Sequence, residues 1–321
     1  MEIGLMIEGQ EGVSWEQWTE IARACENGDL HALFRSDHYL SFDDPLRRGA
    51  LDAWATLAGL AAVTRRIRLG TLVSPVTFRH PSVLARSVIT VDHVSGGRVE
   101  LGIGAGWFER EHRAFGFPFP TDADRIAILA EQIEIVHRLW DPDEAEVSFS
   151  GQHYRLEAGP ALPASIQVPH PPLILGGGAG PRAAALAARW ADEYNVTGLA
   201  PDEVKEARNR LSAACEAIGR DPGSLRLSLM TGVVVGEDAA EVRARASALM
   251  EREGETGDPD RFLERWGPGH VAGTVEQALE TLETYAAAGV GRVMLQHLVH
   301  DDLETIDLIG REIVQEAGRF P

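Results

Sequence analysis

Eight short apolar segments, each followed by a helix-like stretch, constrain this chain more than any other feature. They cover residues 2–8, 31–38, 67–75, 98–106, 173–178, 193–198, 225–236 and 292–300. Between them, apolar spacing predicts helices at 14–29, from Asp52 to about Arg66, at 80–95, up to Trp140, and at 182–191, 201–219, 274–289 and 303–317. Ser14 and Gln17 stand in capping-box positions at the start of the first. Short apolar strands interleaved with helices predict an all-parallel sheet, and eight such units are the number that closes a (β/α)8 TIM barrel. Two stretches break the rhythm and read as insertions. Residues 141–170 carry a hairpin-like segment and a Pro-rich return, and residues 254–273 are a Gly/Pro-rich excursion. The expectation is one barrel domain over residues 1–321.

The competing architecture is an open doubly wound sheet with a dinucleotide fingerprint. Two glycine clusters approach that fingerprint and neither completes it. "GIGAGW" has Trp107 where the third glycine belongs, and "GGGAGP" has Pro181 there.

Composition removes several classes of function. The formal net charge of −19 is unsuited to a nucleic-acid surface, which needs a basic stripe to replace phosphate counterions. No run approaches the roughly 18 apolar residues that mark a membrane span. The acidic "MEIGLMIEG" is not a secretory signal, and Cys25 and Cys215 lack metal or redox spacing. A cytoplasmic protein with reduced core thiols is expected.

Chemistry in a barrel sits where strands end and run into the following helices. This places Asp37 and His38, Ser74, Gly104 to Trp107, Gly176 to Gly180, Asn195 and His297 at the active face. "DHVSGGRVE" (92–100) falls at the opposite face, where His93, Gly96 and Gly97 read as a helix stop and turn.

The clearest binding signal is "LGGGAGPRAAALAARWA". A strand delivers four glycines to a helix N-terminus, where unpaired N–H groups and the helix dipole favour a phosphate. Arg182, in the first turn, could add a charge-assisted bond. A tight turn needing positive φ is the plainer alternative. His38 can give or take a proton, with Asp37 to orient it or raise its pKa. No elbow of the G-x-S-x-G kind marks a nucleophile. Metal binding is not expected: "EREH" (109–112) lacks zinc-protease spacing, and the histidines of "HLVHDD" (297–302) would need further ligands. Trp107 is either a flat apolar surface for a planar ligand or a loop plug.

Four motifs, in order, carry a resemblance: "SDHY", "IRLGTLVSPVTFRHP", "VDHVSGGRVELGIGAGWFEREHRAFGFPFP" and "PPLILGGGAGPRAAALAARWADEYNV". Together they resemble the luciferase-like flavin and deazaflavin oxidoreductases, and most closely the coenzyme F420-dependent branch. The resemblance covers most of residues 1–200, and it implies a (β/α)8 barrel that is commonly a homodimer. It implies that Asp37 and His38 lie beside a deazaflavin ring, with His38 handling a proton. A bulge, often with a non-prolyl cis peptide, would fall near Leu72 and Val73, next to Ser74. Gly104, Ala105 and Gly106 would pass the ring's polar edge, and Gly177, Gly178, Ala179 and Gly180 would hold the phosphate. Glu8, ending the first strand, is a second candidate proton carrier.

One departure bears on substrate. Sugar-phosphate dehydrogenases of this family carry glutamate directly after the glycine pair, where this chain has Trp107. With Phe78, and with His297 as a further lining residue, Trp107 suggests an apolar or aromatic organic substrate. The leading expectation is therefore hydride transfer between coenzyme F420 and a small molecule. A flavin mononucleotide (FMN) monooxygenase is the alternative, and a non-catalytic cofactor-binding protein is a second.

Overall fold

The first apolar segment forms the strand Glu2–Ile7, buried from Ile3 onward. Seven further strands follow: Ala32–Arg35, Arg68–Thr71, Val99–Gly104, Leu173–Gly176, Glu193–Thr197, Arg226–Gly236 and Arg292–Gln296. Each pairs in parallel with the next, and the eighth returns to the first, with Gly4 opposite Met294 on one side and Ala32 on the other. This closed ring, surrounded by helices, is a (β/α)8 barrel. The structure is a computed structural model and describes residues 1–44 and 46–320.

Local sequence sets the helix starts. The helix Trp15–Asn27 opens with a capping box: Ser14 Oγ accepts from the Gln17 N–H at 3.2 Å, and Gln17 Oε1 accepts from the Ser14 N–H at 2.9 Å. Asp52 caps Ala53–Val63, and Thr274 caps Val275–Ala287 with a second capping box. Each such cap is worth about 1 kcal/mol. Gly96, with φ 69°, ends the helix Pro81–Ser95 at the face opposite the strand C-termini, where the turn was expected.

Three apolar clusters fill the described structure, the smallest outer one joining Val234 to Val242, Leu249 and Phe262 beside the second insertion. Met6, Ala32, Phe34, Leu72, Ile174 and Met294 pack inside the barrel, while a larger cluster joins strands to helices. Cys25 and Cys215 are buried free thiols. At the N-terminal end of the barrel, buried Arg292 is gripped by Glu100 and Glu193, each with an oxygen 2.7 Å from Nη2. Burial alone would neutralise Glu100, but Arg292 and Arg68 hold its pKa down at about 2. Such a buried charge is tolerable because its partners are equally buried.

Three segments refine the expected pattern. The third strand does not run through to residue 75. It stops at Thr71, the Leu72–Val73 peptide is cis, and Ser74–Pro75 then pairs with the fourth strand. The hairpin in the first insertion joins Glu146–Ser150 to Arg155–Pro160, and Asp92 anchors the return through the Ile166 N–H and the Gln167 side chain. The second insertion is more ordered than its Gly/Pro content suggests. It contains the helix Pro259–Trp266 and the strand Val271–Thr274, which pairs with Val233–Gly236. The reason lies in the seventh strand, whose 11 residues overrun the barrel and leave an edge to cover.

Candidate active site

All eight strands point their C-terminal ends the same way, and a cavity of about 520 Å³ occupies that mouth. Its walls come from nearly every strand end. Glu8 follows the first strand, Ser36 and His38 the second, Leu72 and Val73 the third. Gly104 to Phe108, Glu111 and His112 follow the fourth, and Gly176 to Gly178 the fifth. Tyr194, Asn195 and Thr197 from the sixth and Met230 from the seventh complete the far side.

His38 is the best-placed proton carrier. Its Nδ1 lies 2.8 Å from Oε2 of Glu111, whose side chain is fully buried. Glu111 sits on the short helix Glu109–Phe115, and its other oxygen accepts from the Tyr39 and Leu40 N–H groups. A carboxylate only accepts, so Nδ1 carries the proton and Nε2 is the nitrogen left for exchange. Burial works against the imidazolium. The hydrogen bond and charge of Glu111, with Glu8 and Asp37 behind it, outweigh burial and raise the His38 pKa above the ordinary histidine value. The sequence gives Glu111 no such prominence, because nothing in "EREH" marks a partner 73 residues earlier in the chain.

Asp37 has a different position from its neighbour. It is buried outside the cavity lining, where it pairs with the Arg79 guanidinium and accepts from Ser74 Oγ at 2.6 Å. Arg79 also reaches Asp52 at 2.8 Å and the Tyr39 hydroxyl at 3.0 Å. Asp37 and Ser74 thus fasten the His38 loop to the helix behind it. Arg79, which joins the two acids, went unnoticed in the sequence.

The cavity floor is Val73. A Cβ added to Gly104 would come 2.7 Å from Val73 Cγ2, and one added to Gly176 would come 3.0 Å from Cγ1. One added to Gly102 would lie 2.0 Å from the Thr71 carbonyl oxygen. Glycine is required at these places so that Val73 can spread across the barrel mouth.

The glycine-rich turn has two parts. Ala179 is buried, with φ 51°, and its N–H donates to the Tyr194 hydroxyl at 2.9 Å, which shapes the turn from behind. Gly177 and Gly178 face the cavity, and a Cβ at Gly178 or Gly180 would meet nothing within 4 Å. Gly180 starts the helix Pro181–Trp190 without a side-chain cap. Arg182 is exposed in its first turn and outside the cavity lining. A side-chain-free cradle at an uncapped helix N-terminus fits a phosphate.

Aromatic rings close the outer wall. Trp107, 64% exposed, packs with Phe42 and Phe108 at centroid distances of 5.0 to 5.5 Å within this trio. His112 has both ring nitrogens engaged, Nδ1 with the Phe108 carbonyl and Nε2 with Thr77 Oγ1. Two expected lining residues lie elsewhere. Phe78 stacks among Tyr39, His112 and Phe117 behind the wall. His297 is buried in a separate pocket with Arg245 and Asp302, its pKa pushed down to about 4 by burial. Side chains alternate along the eighth strand, with Met294 inside the barrel and Gln296 reaching Glu8 at the mouth, so the next residue, His297, faces away from the cavity. Among the described residues, no group of three or more His, Cys, Asp or Glu could hold a metal, and no helix is long and apolar enough to cross a membrane.

Comparison with known proteins agrees with this geometry. A family model described as luciferase-like monooxygenase matches residues 1–296. The F420-dependent glucose-6-phosphate dehydrogenase of Nakamurella multipartita is 28% identical over 92% of this chain and 90% of its own. The F420-dependent hydroxymycolic acid dehydrogenase of Mycobacterium tuberculosis is 27% identical over 92% and 82%. Among solved structures, the monooxygenase RslO1 from Streptomyces bottropensis superposes with a TM-score of 0.84, at 23% identity over 98% and 99% of the two chains. An F420-dependent secondary alcohol dehydrogenase gives 0.80, at 19% identity over 97% and 98%.

Proposed function

The chain belongs to the luciferase-like monooxygenase family, and from that premise we propose that it is a coenzyme F420-dependent oxidoreductase. It passes a hydride between the deazaflavin C5 and a small apolar or aromatic organic molecule. The observation that carries this reading is the His38–Glu111 pair facing the same cavity as the Val73 floor and the glycine cradle. Relatives named as F420-dependent dehydrogenases, matched over nine-tenths of the chain, support the choice of cofactor.

The residues present fit such a cofactor. Gly177, Gly178 and Gly180 would receive its phosphate, Val73 would support one face of the ring, and Gly104 to Gly106 would let the ring's edge approach the backbone. When bound, the deazaflavin supplies a two-electron hydride carrier. The protein does the rest. Phe42, Trp107 and Phe108 shield the substrate from water and orient it. Glu111 fixes the His38 ring and holds its proton on Nδ1, and Nε2 gives or takes the proton that accompanies the hydride. The reading extends to a homodimer, supported by exposed apolar side chains at Val63, Val83 and Val94 on neighbouring helices.

An anaerobic assay tests the reaction class. Reduced F420 mixed with the protein and a panel of conjugated carbonyl and imine compounds should be oxidised stoichiometrically without oxygen. Turnover that needs FMN and consumes oxygen would replace this reading with a monooxygenase.

A further inference from the structure

The charges at the mouth do not balance, and their imbalance bears on what the cavity holds. Among the described residues, no arginine or lysine lines it. Its carboxylate and imidazole side chains are Glu8, Glu111, His38 and His112. Both ring nitrogens of His112 are already engaged, Nδ1 with the Phe108 carbonyl and Nε2 with Thr77 Oγ1, so it offers no free N–H to a neighbouring carboxylate. His38 and Glu111 form an ion pair when His38 is protonated. Glu111 thus has the His38 ring as its partner, and Glu8 is the carboxylate of the lining hydrogen-bonded to neither histidine.

Among the described residues, no cation forms an ion pair with Glu8. Its two oxygens accept from side-chain amides, Gln10 Nε2 at 2.8 Å and Gln296 Nε2 at 2.6 Å. Gln10 is in turn fixed by Ser36, which donates to its Oε1 at 2.5 Å. This network leaves lone pairs on Glu8 for a ligand, since a carboxylate offers about four acceptor positions. A carboxylate only 8% exposed, beside aromatic walls, is costly without a counter-charge. The wall trio Phe42, Trp107 and Phe108 supplies π faces that also favour a cation. The formal charge of −19 gives the whole molecule a field that draws cations inward.

We propose that this site takes an organic cation, an iminium or its amine product, with the positive nitrogen against Glu8 and the apolar body against Trp107. The proposal deepens the oxidoreductase reading and rests on it for the hydride alone. At an iminium carbon the arriving hydride forms the new C–H bond, and the C=N π pair becomes the nitrogen lone pair. The substrate gains two electrons, and the reduced 5-deazaflavin that gives the hydride is oxidised. The neutral amine then takes the proton from His38, becomes an ammonium and keeps its partner in Glu8.

Calorimetry with three probes of similar shape tests the binding claim without turnover: phenyltrimethylammonium, neutral tert-butylbenzene and anionic benzenesulfonate. Wild type should bind the cation at least about tenfold more tightly than either of the others. Glu8→Gln should bring the cation and the neutral probe to within about twofold of each other, the preference resting on that charge. Trp107→Leu removes a ring that is 64% exposed, and should weaken the cation severalfold. Equal binding of cation and neutral probe by wild type, or tighter binding of the anion, overturns the proposal. So does an undiminished preference in a folded Glu8→Gln protein. Because these probes need no cofactor, their failure leaves F420 binding, measured separately, to stand or fall by itself.

Discussion

Glu111 accepts from the His38 ring across 73 residues of sequence, with Oε2 2.8 Å from Nδ1 and no solvent on the acid's side. The pair joins the loop after the second strand to the short helix after the fourth, so the proposed proton carrier is oriented by a tertiary contact. Removing the ring should separate chemistry from binding. His38→Ala is expected to lower turnover by about 10²- to 10⁴-fold while cofactor affinity changes little. Parallel turnover and binding measurements check this, and a variant that loses binding in proportion would assign His38 to the cofactor alone.

The same contact sets a pH response. The His38 pKa is raised in the folded protein, so its contribution to stability is fully present below the ordinary histidine pKa of about 6.5. It is lost as pH rises through the folded value. Glu111→Gln removes the charge and should move the His38 titration, followed by NMR, back down. An unmoved titration would mean that the carboxylate does not hold the proton.

Asp37 predicts a stability effect. Its removal leaves Arg79 nearly buried with Asp52 as its remaining carboxylate. Asp37→Ala should cost about 3 kcal/mol in urea unfolding, the usual penalty for stripping a partner from a buried ion pair. A loss of activity at unchanged stability would instead give Asp37 a direct part in the chemistry.

Gly178 separates fold from cofactor. A Cβ there meets nothing within 4 Å, and its φ is not positive. Gly178→Ala should therefore keep the thermal midpoint and weaken cofactor binding by about tenfold, the loss of roughly one hydrogen bond to a charged group. Gly104→Ala, by contrast, must displace Val73, and should perturb the floor itself.

Acid should act through His297. Burial depresses its pKa from the ordinary value to about 4. The unfolded chain therefore binds the extra proton first, and stability falls as pH drops from about 6.5 towards 4. The shift amounts to roughly 3 kcal/mol at most. His297→Leu should flatten this part of the pH–stability curve, and an identical slope would assign the acid sensitivity to other groups.

Much of this was legible because it is local. Ser14 and Gln17 stand three apart and cap a helix wherever they occur, and the strand segments mark their own ends. The glycines announced a close approach, although they could not show that Val73 was what approached at Gly104. What the sequence hid depends on distant partners. Nothing near Glu111 in the chain indicates that it turns toward His38, and nothing near Asp37 shows Arg79 closing over it. Phe78 and His297 were misplaced because a strand end fixes a backbone position and leaves the side-chain direction open. The strand Val271–Thr274 was missed because the demand for it arises on the seventh strand, about 40 residues earlier in the chain.

The barrel mouth is proposed to hold a deazaflavin. Titration of the purified protein with coenzyme F420 and with FMN, followed by fluorescence, tests it most directly. Saturable F420 binding, much tighter than FMN binding and weakened in Gly178→Ala, is expected. Tight FMN binding with little affinity for F420 would contradict it.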